Sequence, residues 1–141
     1  MDEQNSVARL KERLNTDSND IDAAIALGNF YYDHENTGQS ILYYRRALDI
    51  NPDLAGVRTD LGTMYWRNDD ISLAEQAFRE AIARDPGFGH AYVNLGLLLH
   101  RAKNDVKEAR AVWQKLLAVD SEHDMATKAR ELLQETAALV N

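Results

Sequence analysis

Apolar side chains recur along most of the chain at the three- and four-residue spacing of an amphipathic α-helix. Between residues 21 and 33 this face consists of Ile21, Ala24, Ile25, Leu27, Gly28, Tyr31 and Tyr32. A polar turn at 35–38 interrupts the pattern, which resumes over 39–50 and stops at Asn51-Pro52, because the residue before a proline is disfavoured in the α-helical region. This segment is therefore predicted to form two helices joined by a short turn.

The same pattern occurs twice more and predicts further helices at 55–67, 71–84, 89–102 and 106–119. Three Leu-Gly pairs mark the repeat at a constant spacing of 34 residues: Leu27-Gly28, Leu61-Gly62 and Leu95-Gly96. A fixed period of this length is typical of helical repeat proteins. The sequence thus predicts three repeat units, at 21–54, 55–88 and 89–121.

Two amphipathic segments flank the three units. In residues 5–15, Val7, Leu10 and Leu14 share one helical face, and Leu10 lies one period before Tyr44. This segment is therefore predicted to be the second helix of a truncated repeat. Residues 122–138 are predicted to be a final helix, with an apolar face formed by Met125, Ala129, Leu132 and Leu133. A stack of repeats exposes an apolar end unless a terminal helix covers it, so this helix is predicted to be a cap.

The residues around each Leu-Gly pair resemble the tetratricopeptide repeat, whose signature is W-x2-L-G-x2-Y, then A-x3-F, then A and P. The second copy matches through Leu61-Gly62, Tyr65, Ala74, Phe78, Ala81 and Pro86. The first and third copies match through Tyr31, Ser40, Tyr44, Ala47 and Pro52, and through Tyr92, Leu99, Ala109 and Trp113. The resemblance implies that 1–141 is one all-α domain, a right-handed superhelical solenoid of helix pairs.

The copies depart from the signature at a few positions. Ala24 and Arg58 replace the large aromatic residue that opens it. The third copy has one extra residue, predicted to lie in the turn at Lys103-Asn104-Asp105, and it ends with Leu116 and Ser121 in place of alanine and proline. The end of the third repeat is therefore predicted to pack differently from the others.

The signature residues are interpreted as structural. Glycine inside a helix costs about 1 kcal/mol relative to alanine, so Gly28, Gly62 and Gly96 are expected where two helices approach closely. A glycine-rich ligand loop is the alternative, but such a loop opens a helix after a strand. The recurring aromatic residues are likewise expected to pack in the core rather than to form a cofactor box.

The overall charge changes which partners are expected. The net charge is −7, with no run of lysine or arginine, whereas binding to a phosphate backbone needs clustered cations. We therefore expect neither a nucleic-acid partner nor membrane contact by this chain itself. It contains no cysteine, and Met1-Asp2-Glu3 is polar rather than signal-like. The cytoplasm is the default expectation, and a periplasmic domain of an anchored protein is the alternative.

The sequence offers little for catalysis or metal binding. The four histidines are His34, His90, His100 and His123, and none of them pairs with another at the i, i+4 spacing that places two ligands on one helical face. No nucleophile elbow is present either. The chain is predicted to be a non-enzyme without a cofactor or metal.

The family resemblance places ligand contacts on the concave face, which the first helix of each pair lines. At the matching positions stand Ile25, Asn29, Tyr32, Thr59, Thr63, Trp66, Arg67, Val93, Leu97, His100 and Arg101. The apolar members are expected to form a floor, and Arg67, His100 and Arg101 to meet a carboxylate. In the alternative interpretation, Tyr32 and Trp66 only cover gaps between repeats.

Family members that bind chaperone C-termini hold the terminal carboxylate with lysine, arginine and asparagine. The corresponding positions here are Ile25, Asn29, Asp60, His90 and Asn94. Asp60 has the wrong charge for a carboxylate, so this chain is not expected to bind such tails in that way.

A further resemblance concerns the segments 60–65, 96–100 and 111–117. They are similar to bacterial tetratricopeptide proteins, including membrane-anchored periplasmic ones associated with c-type cytochrome assembly. This resemblance implies an assembly role as one option.

Two functions are therefore predicted. The first is a non-catalytic adaptor whose concave groove binds a protein or peptide segment with apolar anchors and, in one version, an acidic group. The second is a structural scaffold or assembly factor that self-associates. The chain is expected to be a monomer or to self-associate weakly.

Overall fold

The computed structural model describes residues 2–120 and 124–140. These residues form eight α-helices, followed by one turn of 3₁₀-helix at Ala137–Leu139. The helices are α1 (Glu3–Thr16), α2 (Ile21–Asp33), α3 (Thr37–Ile50), α4 (Ala55–Arg67), α5 (Ile71–Arg84), α6 (Gly89–Arg101), α7 (Val106–Val119) and α8 (Asp124–Glu135). The predicted all-α solenoid of helix pairs is confirmed.

The two helices of each pair pack against each other, and the second helix of a pair also contacts the first helix of the next pair. The strongest packing is within α2–α3, α4–α5 and α6–α7, and each pair joins the next through α3–α4 and α5–α6. The first helices of the second and third pairs also meet, since α4 contacts α6. The result is an inner layer of α2, α4 and α6 that carries the candidate site.

The glycine of each Leu-Gly pair lies under the aromatic ring of the following helix. The rings of Tyr44, Phe78 and Trp113 are at most 1% exposed. A Cβ added at Gly62 would lie 2.5 Å from Cε1 of Phe78, and one at Gly28 or Gly96 would overlap the facing ring. These glycines are therefore required for close packing within each pair.

The turns explain where the helix boundaries differ from the sequence prediction. Helix α3 begins at Thr37 instead of residue 39, because the Asn36 side chain accepts a hydrogen bond from the Gln39 amide at 3.2 Å and so caps the helix. The turn after α6 spans 102–105, one residue longer than the turn at 68–70. The insertion predicted at Lys103-Asn104-Asp105 is thus confirmed.

Helix α8 packs on both α6 and α7. It buries Ala126, Ala129 and Leu132 completely or nearly so, while Met125 and Leu133 are partly buried. The helix ends at Glu135, before the predicted residue 138, and Ser121 and the predicted start of the helix at 122 lie outside the described residues.

The side chain of Arg110, in α7, contacts the C-terminal end of α8. Its Nη1 donates hydrogen bonds to the Leu133 carbonyl at 2.5 Å and to Thr136 Oγ1 at 2.7 Å. A cation at this position stabilises the negative end of the helix dipole.

Within the described ranges, no helix is long and apolar enough to cross a bilayer.

Candidate functional site

The inner layer contains an open cleft of about 320 Å³ between α2, α4 and α6. Stacking of the repeats brings together side chains that are up to 62 residues apart in the sequence. The lining, here called the inner cleft, consists of Tyr32, Gly56, Thr59, Asp60, Thr63, Phe88, His90 and Asn94. Three of the predicted groove residues, Tyr32, Thr59 and Thr63, belong to it.

The predicted groove residues differ widely in exposure. Asn29, Arg67 and Arg101 are exposed, whereas Ile25, Tyr32, Thr63, Trp66, Leu97 and His100 are partly exposed. Val93 is only 4% exposed and packs with the third-repeat core. The expectation that Val93 contributes to the floor is therefore corrected, because its buried side chain leaves almost no surface for a ligand.

Thr59 is also buried, at 3% exposure. Its hydroxyl donates to the Ala55 carbonyl at 2.8 Å, one helical turn earlier. Thr63 donates in the same way to the Thr59 carbonyl at 3.3 Å. The two hydroxyls can accept a hydrogen bond from a ligand through their remaining lone pairs, but burial leaves this role mainly to Thr63.

The apolar groove residues each bury one side against the core. Trp66 and Leu97 pack against the buried cluster that contains Trp113. Tyr32 packs against the cluster around Tyr44, and Ile25 against the cluster that contains Leu27. The clusters that Tyr32 and Trp66 contact include residues of the next repeat. All four side chains also remain partly exposed.

The ring of Tyr32 contacts the cationic side chain of Arg67. The guanidinium carbon of Arg67 lies 4.8 Å from the centre of the Tyr32 ring, within the range of a cation–π interaction. This contact holds the Arg67 side chain over the groove without neutralising its charge. Arg67 is thus available to an acidic group of a ligand.

Asn29 and His100 are partly committed to the protein. The Asn29 amide oxygen accepts a hydrogen bond of 2.6 Å from the Tyr44 hydroxyl, so its side chain is held in place. The Nδ1 atom of His100 is buried without a hydrogen-bond partner. Any contact between His100 and a carboxylate must therefore use Nε2.

Asp60 is the acidic residue of the inner cleft. Burial raises the pKa of its carboxyl group from 3.8 to about 6, and the nearby His90 imidazole lowers it in part. The same carboxylate, together with burial, raises the pKa of the Tyr44 hydroxyl. Among the described residues, no hydrogen bond or ion pair to the Asp60 side chain is found. The fold therefore holds a partly buried negative charge without a partner.

The predicted groove residues do not include Asp60, Phe88 and Asn94, which line the inner cleft. Asp60 and Asn94 were available from the positions that correspond to the family's carboxylate-binding set. Phe88 precedes α6 and lies in a loop after Pro86-Gly87. Its ring lies 3.6 Å from where a Cβ of Gly56 would be, a contact that no single-repeat pattern indicates.

Two other clefts lie between successive repeats. One, of about 360 Å³, is lined by α5, α6 and α7, and the other, of about 330 Å³, by α3, α4 and α5. Most of their lining residues correspond at the repeat spacing, as Arg45 and Arg79 or Leu61 and Leu95 do. They are a regular consequence of stacking and are weaker candidates. In the ranges 2–120 and 124–140, no group of three potential metal ligands is found.

We expect Asp60→Asn to stabilise the fold by about 1–2 kcal/mol at pH 7.5, a value reduced for partial solvent exposure. A carboxyl group with a raised pKa favours the folded state fully at low pH and loses this contribution as pH rises through about 6. The gain should therefore shrink towards pH 4. Urea denaturation at both pH values measures it.

The matched control is Asp49→Asn, because Asp49 is exposed on α3. This change is expected to alter stability by less than about 0.5 kcal/mol. Equal effects of the two substitutions at pH 7.5 would contradict the assignment of an unfavourable charge to Asp60.

Comparisons with known proteins give the family of this chain. The family described as the cilia and flagella-associated protein 70 middle TPR-like domain matches residues 32–140. The type IV pilus assembly protein PilF of Pseudomonas aeruginosa is 30% identical over 120 residues, which cover 85% of this chain and 45% of PilF. The chain spans less than half the length of this and the other curated relatives that it matches.

Solved structures show the same fold. The crystal structure of MamA matches with a TM-score of 0.78 and 22% identity, over 94% of this chain and 77% of MamA. The first TPR of Spaghetti (RPAP3), bound to the HSP90 peptide SRMEEVD, matches with a TM-score of 0.66 and 24% identity, over 81% of this chain and 95% of that domain. At these identities the likeness concerns the fold alone.

Proposed function

The chain belongs to the tetratricopeptide repeat family, and on that premise we propose that it is a non-catalytic adaptor that binds a peptide segment of a partner protein along α2, α4 and α6. The observation that carries this proposal is the preformed inner cleft, which is lined by both aromatic and hydrogen-bonding side chains. A site that exists before binding loses little conformational entropy when the ligand arrives. The peptide complex of the Spaghetti domain supports a peptide ligand for this fold.

The groove offers three kinds of contact to a peptide. Tyr32, Trp66 and Leu97 present partly exposed apolar surface for anchoring side chains. Thr63 and Asn94 can hydrogen-bond to a peptide backbone, and Arg67 and Arg101 can pair with an acidic group. Aromatic residues and arginine are the usual energetic centres of interfaces. An extended segment with apolar side chains and an acidic group near Arg67 fits this distribution.

The ligand is expected to differ from a chaperone tail. In SRMEEVD the terminal carboxylate and three acidic side chains carry the charge. Asp60 would repel such a group in the inner cleft, and Ile25 cannot supply a cation at its position. A version of this peptide with its arginine replaced by glutamine is therefore a suitable negative control for binding experiments.

We expect Trp66→Ala to weaken binding by more than about 1 kcal/mol, because a partly exposed tryptophan is the strongest anchor in the groove. The probe is a set of random dodecapeptides displayed on phage and selected on the immobilised chain. Fluorescence anisotropy of the enriched peptides gives the affinity. Because Trp66 also packs on the core, helicity and melting temperature must be measured on the same samples.

The matched control for this experiment is Leu42→Ala. Leu42 is 48% exposed on α3, away from the groove, and its truncation should leave affinity unchanged. The proposed site is contradicted if affinity ignores Trp66→Ala, Leu97→Ala and Arg101→Ala together but responds to Arg79→Glu on the α5 surface. Light scattering at rising concentration distinguishes this adaptor from a self-associating scaffold.

A further inference from the structure

The inner cleft has an uncompensated negative charge. Asp60 lines it from α4, and the lining contains no lysine or arginine. The titratable and charged groups beside it are Tyr32 of α2, Tyr44 of α3, His90 of α6 and Arg67, whose guanidinium contacts the Tyr32 ring. Arg67 does not itself line the cleft, so no lysine or arginine side chain there offsets the charge of Asp60.

Asp20 and Glu75, which are also partly buried, have ion-pair partners. Glu75 forms ion pairs of 2.7 Å with Lys103 and 2.9 Å with Arg79. Asp20 pairs with Arg13 at 2.9 Å. These pairs lower the pKa of each carboxyl group, whereas the pKa of Asp60 is raised. Asp60 lines an open cleft without an ion-pair partner in the described residues, so its carboxylate can pair with a cationic group of a ligand.

The walls of the cleft suit a cationic group. The rings of Tyr32 and Phe88 both line it, and aromatic faces attract cations. The Thr63 hydroxyl and the Asn94 side chain supply further acceptors for N–H groups. Ammonium and guanidinium groups donate several hydrogen bonds at once, so all of these groups can be used together.

We propose that the inner cleft binds a lysine or arginine side chain of the partner peptide, with Asp60 as the charge partner. This inference rests on the proposed function and specifies its ligand. Arg67 follows Asp60 by seven residues on the same helix, a distance of about 10 Å along the axis. The preferred peptide therefore carries a basic residue at Asp60 and an acidic group about 10 Å away, near Arg67.

The test uses the dodecapeptides selected on the wild-type chain. Their sequences should be enriched in lysine or arginine at one aligned position. Asp60→Asn should weaken their binding by about tenfold or more, as expected for loss of a hydrogen bond to a charged group. Asp49→Asn, the exposed control on α3, should leave the affinity unchanged.

A second variant on the peptide side tests the pairing directly. Replacing the conserved basic residue by glutamine should weaken binding to the wild-type chain, yet have little further effect on Asp60→Asn. Such non-additivity is the sign of a direct interaction. Additive effects would overturn the proposal.

The pH dependence supplies an independent readout. Affinity should fall by about tenfold between pH 7.5 and pH 5, because the Asp60 carboxyl group, with a pKa of about 6, becomes protonated. The Asp60→Asn chain should not show this loss. Since histidine also titrates in this range, the comparison is repeated in a His90→Asn background.

The outcomes separate the two proposals. Peptides that require Trp66 but lack a basic residue, and bind Asp60→Asn as well as wild type, would overturn the cationic ligand and leave the adaptor. If no peptide is enriched over the library, both proposals are contradicted.

Discussion

Deletion of residues 122–141 is expected to remove most of the stability of the fold. Helix α8 covers the third repeat with Leu132, Leu133 and Met125. Burying a large apolar side chain contributes roughly 1.5–3 kcal/mol, so these three amount to about 4–7 kcal/mol with partial burial taken into account. A domain of this size has a total stability of about 5–15 kcal/mol.

The truncated chain should consequently be partly unfolded and prone to aggregation, because it exposes the surfaces of α6 and α7 that α8 covers. Urea denaturation and light scattering measure the two effects. Leu132→Ala is a milder version, with an expected loss of about 2–5 kcal/mol, and Lys128→Ala on the exposed face is its control. If the truncated chain kept both its melting temperature and its solubility, α8 would not be a cap.

Replacement of Phe78 by alanine is expected to destabilise the fold by about 3–5 kcal/mol. The ring is fully buried in the central repeat, against the backbone of Gly62. Its removal leaves a cavity that neighbouring helices can fill only in part. The loss is measured as the change in the free energy of unfolding, and ligand affinity of the remaining folded protein should change little, because Phe78 does not line the inner cleft.

A double-mutant cycle with Gly62 tests the packing argument. Gly62→Ala alone should destabilise by about 1–3 kcal/mol, the usual effect of overpacking, because its Cβ would lie 2.5 Å from the Phe78 ring. In the Phe78→Ala background the ring is absent, and the higher helix propensity of alanine should stabilise by up to about 1 kcal/mol. Strictly additive effects would contradict this explanation. Gly38→Ala is the control, since no atom lies within 4 Å of its added Cβ.

Two charged residues of α4, Asp60 and Arg67, have opposite roles in the proposals. Arg67 is held over Tyr32 and keeps its charge available. Asp60 is half-buried and unpaired, which lowers stability at neutral pH. Removal of the Asp60 charge is expected to stabilise the fold and to weaken binding. Stability and function therefore oppose each other at this residue. Measurement of both quantities on Asp60→Asn therefore connects the stability prediction to the proposed ligand.

The period of the chain was sufficient to predict most helices and their pairing. The Leu-Gly pairs and the aromatic residues that follow them are local signals, because each repeat packs mainly against itself and its neighbours. The extra residue before α7 was visible for the same reason, as a shift from 34 to 35 residues in the frame. The N-cap at Asn36, which moves the start of α3 to Thr37, depends on one side-chain hydrogen bond and was not predicted.

The sequence by itself determined the helical period, the repeat length and which aromatic residues enter the core, since these depend on spacing within about 34 residues. Only the tertiary structure decided which first-helix residues face a ligand. Val93 is buried in the core, whereas Phe88 lines the inner cleft together with Asp60. The physical reason is that exposure on the inner layer depends on the contact between α4 and α6, which no single repeat contains. The raised pKa of Asp60 has the same origin, because neighbouring repeats exclude water from its carboxylate.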